Sequence, residues 1–270
     1  MRRQRCCRWT GRARRGTGFW ERAALRARRW PGFCNVCSQA TVFELESDNL
    51  RETLACRRCG SFNRQRQLAA VLLEVAGLGA GAGVARLPRR WRVWNLEARR
   101  ALHQALAARL GQNHVASEFL DAALPSGAVR DGVLHVDAQR THFPDGAFEA
   151  VLSSDVLEHV PRPAAALAEL YRVLAPGGHA IFTVPFHGHR FCAEVRAEPG
   201  PDGTVRHLAP PVYHEDPVRP EGALVYTIFG IESLCELERV GFEPRLVRVR
   251  SPLLGILGSN GLVVHARRPA

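Results

Sequence analysis

Residues 137–185 read DAQRTHFPDGAFEAVLSSDVLEHVPRPAAALAELYRVLAPGGHAIFTVP. Phe148–Ser153 is a short apolar run, long enough for a buried strand and too short for a helix. Pro161 and Pro163 punctuate the chain, and from Ala164 the residues Leu167, Ala168, Leu170, Tyr171 and Leu174 recur at helical spacing. Pro176-Gly177-Gly178 is expected to stop that helix, because glycine takes a left-handed cap and proline cannot continue. Ala180–Val184 reads as a second buried strand. Strand, crossover helix, strand is the repeating unit of a doubly wound, mostly parallel sheet.

Several spaced elements of this stretch agree with one family. Asp137, Phe143-Pro144-Asp145, Phe148, Val156-Leu157-Glu158-His159, Arg172-Val173-Leu174 and Pro176-Gly177-Gly178 stand in order. The run resembles the class I S-adenosylmethionine (SAM)-dependent methyltransferases, of the methyltransferase type 11 kind. That resemblance covers about fifty residues directly. It implies an α/β fold, a Rossmann-like doubly wound sheet of seven mostly parallel strands, over residues 91–270, and an enzyme that uses SAM.

Working outward, Val93–Leu96 is the expected first strand of that core. The family's turn after it is rich in glycine, letting the backbone approach a nucleoside cofactor and open a helix toward it. Here the turn is Glu97-Ala98-Arg99-Arg100, a departure that keeps only the acidic residue. His114–Glu118 reads as a second strand ending in an acid, 21 positions beyond Glu97. An acid about twenty residues past the first turn can accept both ribose hydroxyls of a nucleoside. Val133–Asp137 is the third strand; the resemblance puts Asp137 and Ala138 against the adenine. Ser153 ends the fourth strand, so Glu97, Glu118, Asp137, Ala138 and Ser153 are the expected cofactor-binding residues on one rim. His159 follows closely, with a capping or core role as its alternative. The resemblance implies an antiparallel hairpin at the end of the chain.

Residues 194–222 are rich in proline, glycine and charge, without a clean period, and are read as an insertion forming a substrate lid. His159, His187 and His214 are the candidate general bases, with a polar loop held by turns as the competing reading of the lid residues.

Cys34-x-x-Cys37 and Cys56-x-x-Cys59 are two knuckles with 18 residues between them, the spacing of a four-cysteine zinc ribbon over residues 33–62. Two tight turns each present two thiolates, together a tetrahedron for Zn²⁺. Two disulfides or a redox pair compete with this reading; the first needs an oxidising compartment and the second a single exposed pair. A closed four-sulfur site keeps no open position, so its expected role is structural. Residues 63–90 are expected to be a helix, with Leu68, Val71, Leu72 and Val75 on one face, and then a linker.

The formal net charge is +11, but residues 1–30 hold eleven Arg and one Glu and therefore ten of those charges. The rest of the chain is nearly neutral. Residues 1–32 read as a basic, disordered tail, with a nucleic-acid arm or transit peptide as rivals. No apolar run reaches membrane-spanning length and no apolar segment follows the basic N-terminus, so a cytoplasmic location is expected.

The sequence thus predicts methyl transfer from SAM to oxygen or nitrogen of a small molecule or sugar. RNA is the alternative acceptor, with Arg51, Arg57, Arg58, Arg64 and Arg66 on the ribbon as its phosphate contacts. A binding protein that has lost its cofactor is the other alternative. The oligomeric state is not legible.

Overall fold

The computed structural model describes residues 18–186, 190–200, 204–216, 219–258 and 261–270. An N-terminal helix α1 (Phe19–Ala27) leads into a three-stranded antiparallel sheet, β1 (Arg29–Cys34), β2 (Gln39–Glu44) and β3 (Ala55–Cys56). Helix α2 (Asn63–Val75) then connects to the larger sheet. That sheet is built from β4 (Val93–Asn95), α3 (Ala101–Leu110), β5 (His114–Glu118), β6 (Val129–Arg130), β7 (Val133–His135), β8 (Phe148–Ser154), α4 (Pro163–Val173) and β9 (Leu174–Thr183). Three short antiparallel pairs follow: β10 (Glu194–Val195), β11 (Ala197–Pro199), β12 (Val205–His207), β13 (Tyr213–His214), β14 (Ala223–Leu224) and β15 (Thr227–Ile228), joined as β10 with β15, β11 with β12 and β13 with β14. Helix α5 (Ser233–Val240), β16 (Glu243–Arg248) and β17 (Leu262–Arg267) close the chain.

The large sheet has eight strands in the order β16-β17-β9-β8-β4-β5-β7-β6. β9, β8, β4, β5 and β7 run parallel, while β17 lies antiparallel between β9 and β16. Seven strands were expected; the eighth, β6, is a two-residue edge strand hairpinned onto β7. The chain winds outward from β4 through β5 to β7, then returns to β8 on the other side of β4. That reversal leaves a crevice beyond the carboxyl ends of β4 and β8, where ligands of open α/β sheets bind.

Sequence and structure differ at instructive places. Helix α4 starts with Pro163 at its first position, as proline's fixed φ allows, but it ends at Val173. Leu174 is buried in an extended conformation, and Pro176-Gly177-Gly178 lies inside strand β9 rather than capping the helix. Gly177 takes φ +78, and its N–H reaches Arg268 O (3.0 Å), tying the start of β9 to the chain's end. Residues 18–32, which by sequence read as the end of a disordered tail, hold α1 and the start of β1. Buried Glu21 of α1 pairs with Arg250 (2.9 Å), and Trp20 meets Trp30 edge-on.

Helix α2 was expected to bury one face. It is buried nearly all round, from Asn63 to Leu73, because the small sheet covers the side turned away from the large one. Its first turn is closed by Gln65, whose side-chain oxygen accepts the Phe62 N–H (3.3 Å). Residues of the small sheet (Cys34, Phe43, Cys56), of α2 (Leu68, Leu72) and of the large sheet (Val93, Leu152, Ile181, Val263) share one apolar cluster.

At the centre of that contact Arg66 is fully buried. Its Nε donates to Leu254 O (2.9 Å), its NH2 to Leu54 O (2.7 Å) and Gly255 O (3.2 Å), and its NH1 to Ser61 O. The guanidinium lies 4.2 Å from the centre of the Phe43 ring. Neighbouring glycines make the approach possible: a Cβ on Gly32 would stand 2.2 Å from Leu253 O, and one on Gly255 2.4 Å from Phe43. Arg66→Leu leaves four buried carbonyls without their donor. We expect it to cost about 3 kcal/mol or more, read as a lower urea midpoint, and to release bound metal from the small sheet.

Candidate functional site

Four cysteines meet on the small sheet. Cys34 Sγ lies 3.8 Å from Cys59 Sγ, and Cys37 Sγ lies 3.9 Å from Cys56 Sγ. A tetrahedron with Zn–S bonds of about 2.3 Å has edges of about 3.8 Å. The same separations are nearly twice a disulfide bond, so neither disulfide is formed. Ser61 Oγ is 3.2 Å from Cys34 Sγ and 3.3 Å from Cys59 Sγ, while Thr41 Oγ1 is 3.4 Å from Cys56 Sγ. Hydroxyls so placed donate to thiolates and orient them. Burial pushes the Arg66 guanidinium down, and the nearby cysteines oppose this. Its hydrogen bonds go to carbonyls and to Ser61 Oγ (3.3 Å), none of them charged, and four thiolates around a divalent ion would supply the balancing negative charge. The cluster therefore fits zinc.

The crevice rim carries the expected acids. Glu97 follows β4 and is almost wholly buried: Oε1 accepts from Gln65 Nε2 of α2 (3.0 Å) and pairs with Arg100 (3.3 Å), while Oε2 is buried without a hydrogen-bond partner. Burial pushes its carboxyl up to about 7 against the pull of Arg64 and Arg100. Glu118 at the end of β5 accepts the Ala98 N–H (2.9 Å), and burial also raises its pKa. The glycine-free turn is thus closed from across the crevice by a carboxylate. Ser153 Oγ, at the end of β8, is buried and unpartnered. Asp137 is turned inward to its own loop: Oδ1 accepts from the Gln139 N–H (2.9 Å) and side-chain nitrogen (3.0 Å). Ala138 is buried beside it.

The charges missed from sequence lie between these. Asp155, just after β8, has φ +53, a conformation non-glycine residues rarely take. Its carboxylate is held by Arg51 (2.5 and 2.6 Å), Arg64 (2.8 Å) and Thr183 Oγ1 (2.8 Å), which offset that strain. Arg51 and Arg64 also pair with Glu52. The Arg51 and Arg64 partners hold Asp155 ionised, with a pKa of about 2 despite its burial. Neither arginine is spaced as a motif, so only the packing of the small sheet on the rim reveals the network.

The structure brings two of the three candidate histidines together; His187 lies outside the described residues. His159 follows β8 and donates from Nδ1 to Leu224 O of β14 (2.8 Å), while His214 lies on β13. Their rings meet at 88° with centres 5.0 Å apart. Glu158 sits between them, and its carboxylate holds the His214 imidazole above its ordinary pKa. His214 also lines an open cleft of ≈ 480 Å³ with Tyr213, Asp216, Arg219 and Gly222. Arg219 packs over the Phe119 ring (5.6 Å), so the segment between β13 and β14 comes close to the end of β5.

A strand order of this kind with acids along its switch point defines the Rossmann-like fold of class I methyltransferases. The sequence model of the family Methyltransf_11, described as "Methyltransferase domain", matches residues 75–182. An uncharacterized methyltransferase of Mycolicibacterium gilvum is 38% identical over 101 residues, covering 29% of this chain and 40% of the relative. A demethylmenaquinone methyltransferase of Clavibacter sepedonicus is 36% identical over 96 residues, covering 33% of this chain and 39% of the relative. The chain thus spans about two fifths of the length of these relatives. Among solved structures, a SAM-dependent methyltransferase from Mesorhizobium loti is similar at 18% identity and a TM-score of 0.39, over 68% of this chain and 94% of that one. No helix among the described residues is long and apolar enough to cross a membrane.

Glu97 gives a sign that can be checked. Its carboxyl rises from 4.5 to about 7 on folding, so its protonated form stabilises the folded chain. That contribution is complete below pH about 4.5 and is lost as pH rises through about 7. Glu97→Gln should therefore be more stable than the native protein at pH 8, by up to about 3 kcal/mol. The difference should shrink to nothing near pH 5 in urea unfolding curves.

Proposed function

We propose that the protein transfers a methyl group from SAM to an oxygen or nitrogen of a small acceptor. The observation that carries this reading is the pair of carboxylates at the switch point, Glu118 half-buried at the end of β5 and Glu97 with a buried oxygen still without a donor. Ribose hydroxyls and a methionine ammonium are donors of the kind these oxygens lack. Unpartnered Ser153 Oγ on the same rim supports the fit. SAM supplies an activated sulfonium methyl for in-line displacement.

The chain's residues then do the positioning. Glu118 holds the ribose side and Glu97 the amino-acid side, while Asp137 fixes through Gln139 the turn that carries Ala138 beneath the adenine. His159 keeps its Nδ1 proton on Leu224 O, which leaves Nε2 as the lone-pair nitrogen for an acceptor proton. His214 is the second base candidate and enters from the lid, residues 194–222, over the cleft. His187 remains a candidate by sequence alone.

A small acceptor is favoured over RNA by where the ribbon's charge goes. Arg66 is buried among carbonyls, and Arg51 and Arg64 are spent on Glu52 and Asp155. Of the five arginines read as phosphate contacts only Arg57 and Arg58 are exposed. Cys34, Cys37, Cys56 and Cys59 hold a structural Zn²⁺, and the cytoplasm is where thiolates and SAM coexist.

Calorimetric titration of SAM into the zinc-loaded protein tests the reading. Micromolar binding that weakens at least tenfold in Glu118→Ala is expected; no binding to well-folded protein would leave a cofactor-free binding module instead. Chelation of the zinc should lower the thermal midpoint by ten degrees or more, followed by circular dichroism, because metal binding and folding of such a module are one process.

A further inference from the structure

Glu158 is 1% exposed, and neither of its carboxylate oxygens has a hydrogen-bond partner among the described residues. A buried, unbonded carboxylate is costly by several kcal/mol unless a cation meets it. The nearest guanidinium does not: Arg51 directs NH1 and NH2 to Glu52 and Asp155. What faces Glu158 is a pair of imidazoles. Its Oε1 is 3.6 Å from His214 Nδ1 and 3.8 Å from His159 Nε2. These are too long for hydrogen bonds. They are close to the edge of a metal tetrahedron, about 3.4 Å for nitrogen and oxygen ligands at about 2.1 Å.

We propose that Glu158, His159 and His214 bind a divalent first-row transition metal at the junction of the sheet rim and the lid, a site separate from the four cysteines.

Three features agree on this beyond the spacing. The tautomer of His159 suits a ligand: Nδ1 carries its proton to Leu224 O at 2.8 Å, which leaves Nε2, the atom facing Glu158, with its lone pair. A backbone carbonyl orienting a histidine through its other nitrogen is the ordinary outer shell of a metal site. The ligands come from elements already tied together, because the Tyr226 N–H donates to Glu158 O (2.8 Å) and β13 pairs with β14, whose Leu224 takes the His159 proton. The donor set also selects the ion. Two imidazoles and one carboxylate suit Zn²⁺, Co²⁺, Fe²⁺ or Mn²⁺, and are poor for Ca²⁺ or Mg²⁺, which prefer oxygen.

Three protein ligands leave at least one position open, the mark of a site that binds something further. His214 also borders an open surface cleft lined by Tyr213, Asp216, Arg219 and Gly222, so one side of the site faces solvent. An acceptor bearing a hydroxyl or carboxylate oxygen is the ligand this site would take. That use rests on the methyl-transfer reading above, with the metal in place of His159 Nε2 and His214 as what activates the acceptor, since a coordinated nitrogen has no lone pair left for a proton; occupancy by metal does not rest on it.

The test is metal stoichiometry on untagged, full-length protein loaded with Co²⁺, followed by dialysis, elemental analysis and absorption spectroscopy. Thiolate-bound Co²⁺ gives sulfur-to-metal charge-transfer bands in the near ultraviolet, and a nitrogen–oxygen site gives only weak visible bands. The proposal expects two equivalents in the native protein and one in His214→Ala, with the charge-transfer bands unchanged. Glu158→Gln should behave likewise, and its near-ultraviolet dichroism shows whether it is folded. His214 is half-exposed on the lid, so its variant keeps the question answerable if Glu158→Gln is not. A single equivalent in folded native protein overturns the proposal and leaves a Glu158–histidine ion pair. A second equivalent that survives in His214→Ala overturns it as well. Because SAM is absent throughout, failure here and failure of cofactor binding are separate results.

Discussion

One buried guanidinium holds the two halves of this molecule against each other. Arg66 belongs to α2 and reaches carbonyls of the small sheet, at Leu54 and Ser61, and of the loop before β17, at Leu254 and Gly255. A cation so far from solvent is tolerable only with negative charge close by, and the four cysteines provide it when they hold a metal as thiolates. It also holds down Leu54, a buried leucine with φ +60, by taking its carbonyl. The ribbon is therefore not a bead on a tether: its cysteines, its helix and the large sheet share one apolar core.

That docking decides what the crevice looks like. With the small sheet fixed on the rim, Arg51 and Arg64 come down on Asp155 and Gln65 on Glu97. A glycine-rich turn normally brings backbone amides to the cofactor. Here side chains from the preceding module crowd the same rim, and Glu118 closes the turn by accepting the Ala98 amide. This crowding leaves Glu97 an uncomfortable carboxyl, displaced toward neutrality by burial and short of one donor.

Much of the fold was legible because it depends on local pattern. The strands at Phe148–Ser154 and Ala180–Val184, the helix between them and the two cysteine knuckles are all periodicity or spacing, and the structure has a strand, a helix, a strand and a four-cysteine cluster there; Glu97 and Glu118 follow from spacing alone and lie just after β4 and at the end of β5. What was not legible depends on distant contacts. The arginines of the ribbon read as a phosphate-binding face, since nothing in the sequence says that Asp155 is waiting for Arg51 and Arg64. The burial of α2 on all sides, and the extended conformation that takes Leu174 and the two glycines after Pro176 into β9, likewise follow from neighbours far along the chain. Glu158 and His159 are adjacent in sequence, but His214 joins them only because β13 and β14 fold back over the rim.

The reach of Arg66 and Asn63 has a consequence for biosynthesis. Their carbonyl partners at Leu254, Gly255 and Leu257 lie 188, 189 and 194 positions along the chain. The ribbon leaves the ribosome well before the surface that completes it. Until then an emerging chain exposes one side of α2, where Arg66 Nε lacks its acceptor at Leu254 and the Asn63 amide its second one at Leu257, while Leu54 O, Ser61 O and Leu50 O are already at hand. Contacts of such sequence separation close slowly. Metal taken up early by the four cysteines would give the waiting segment a local anchor.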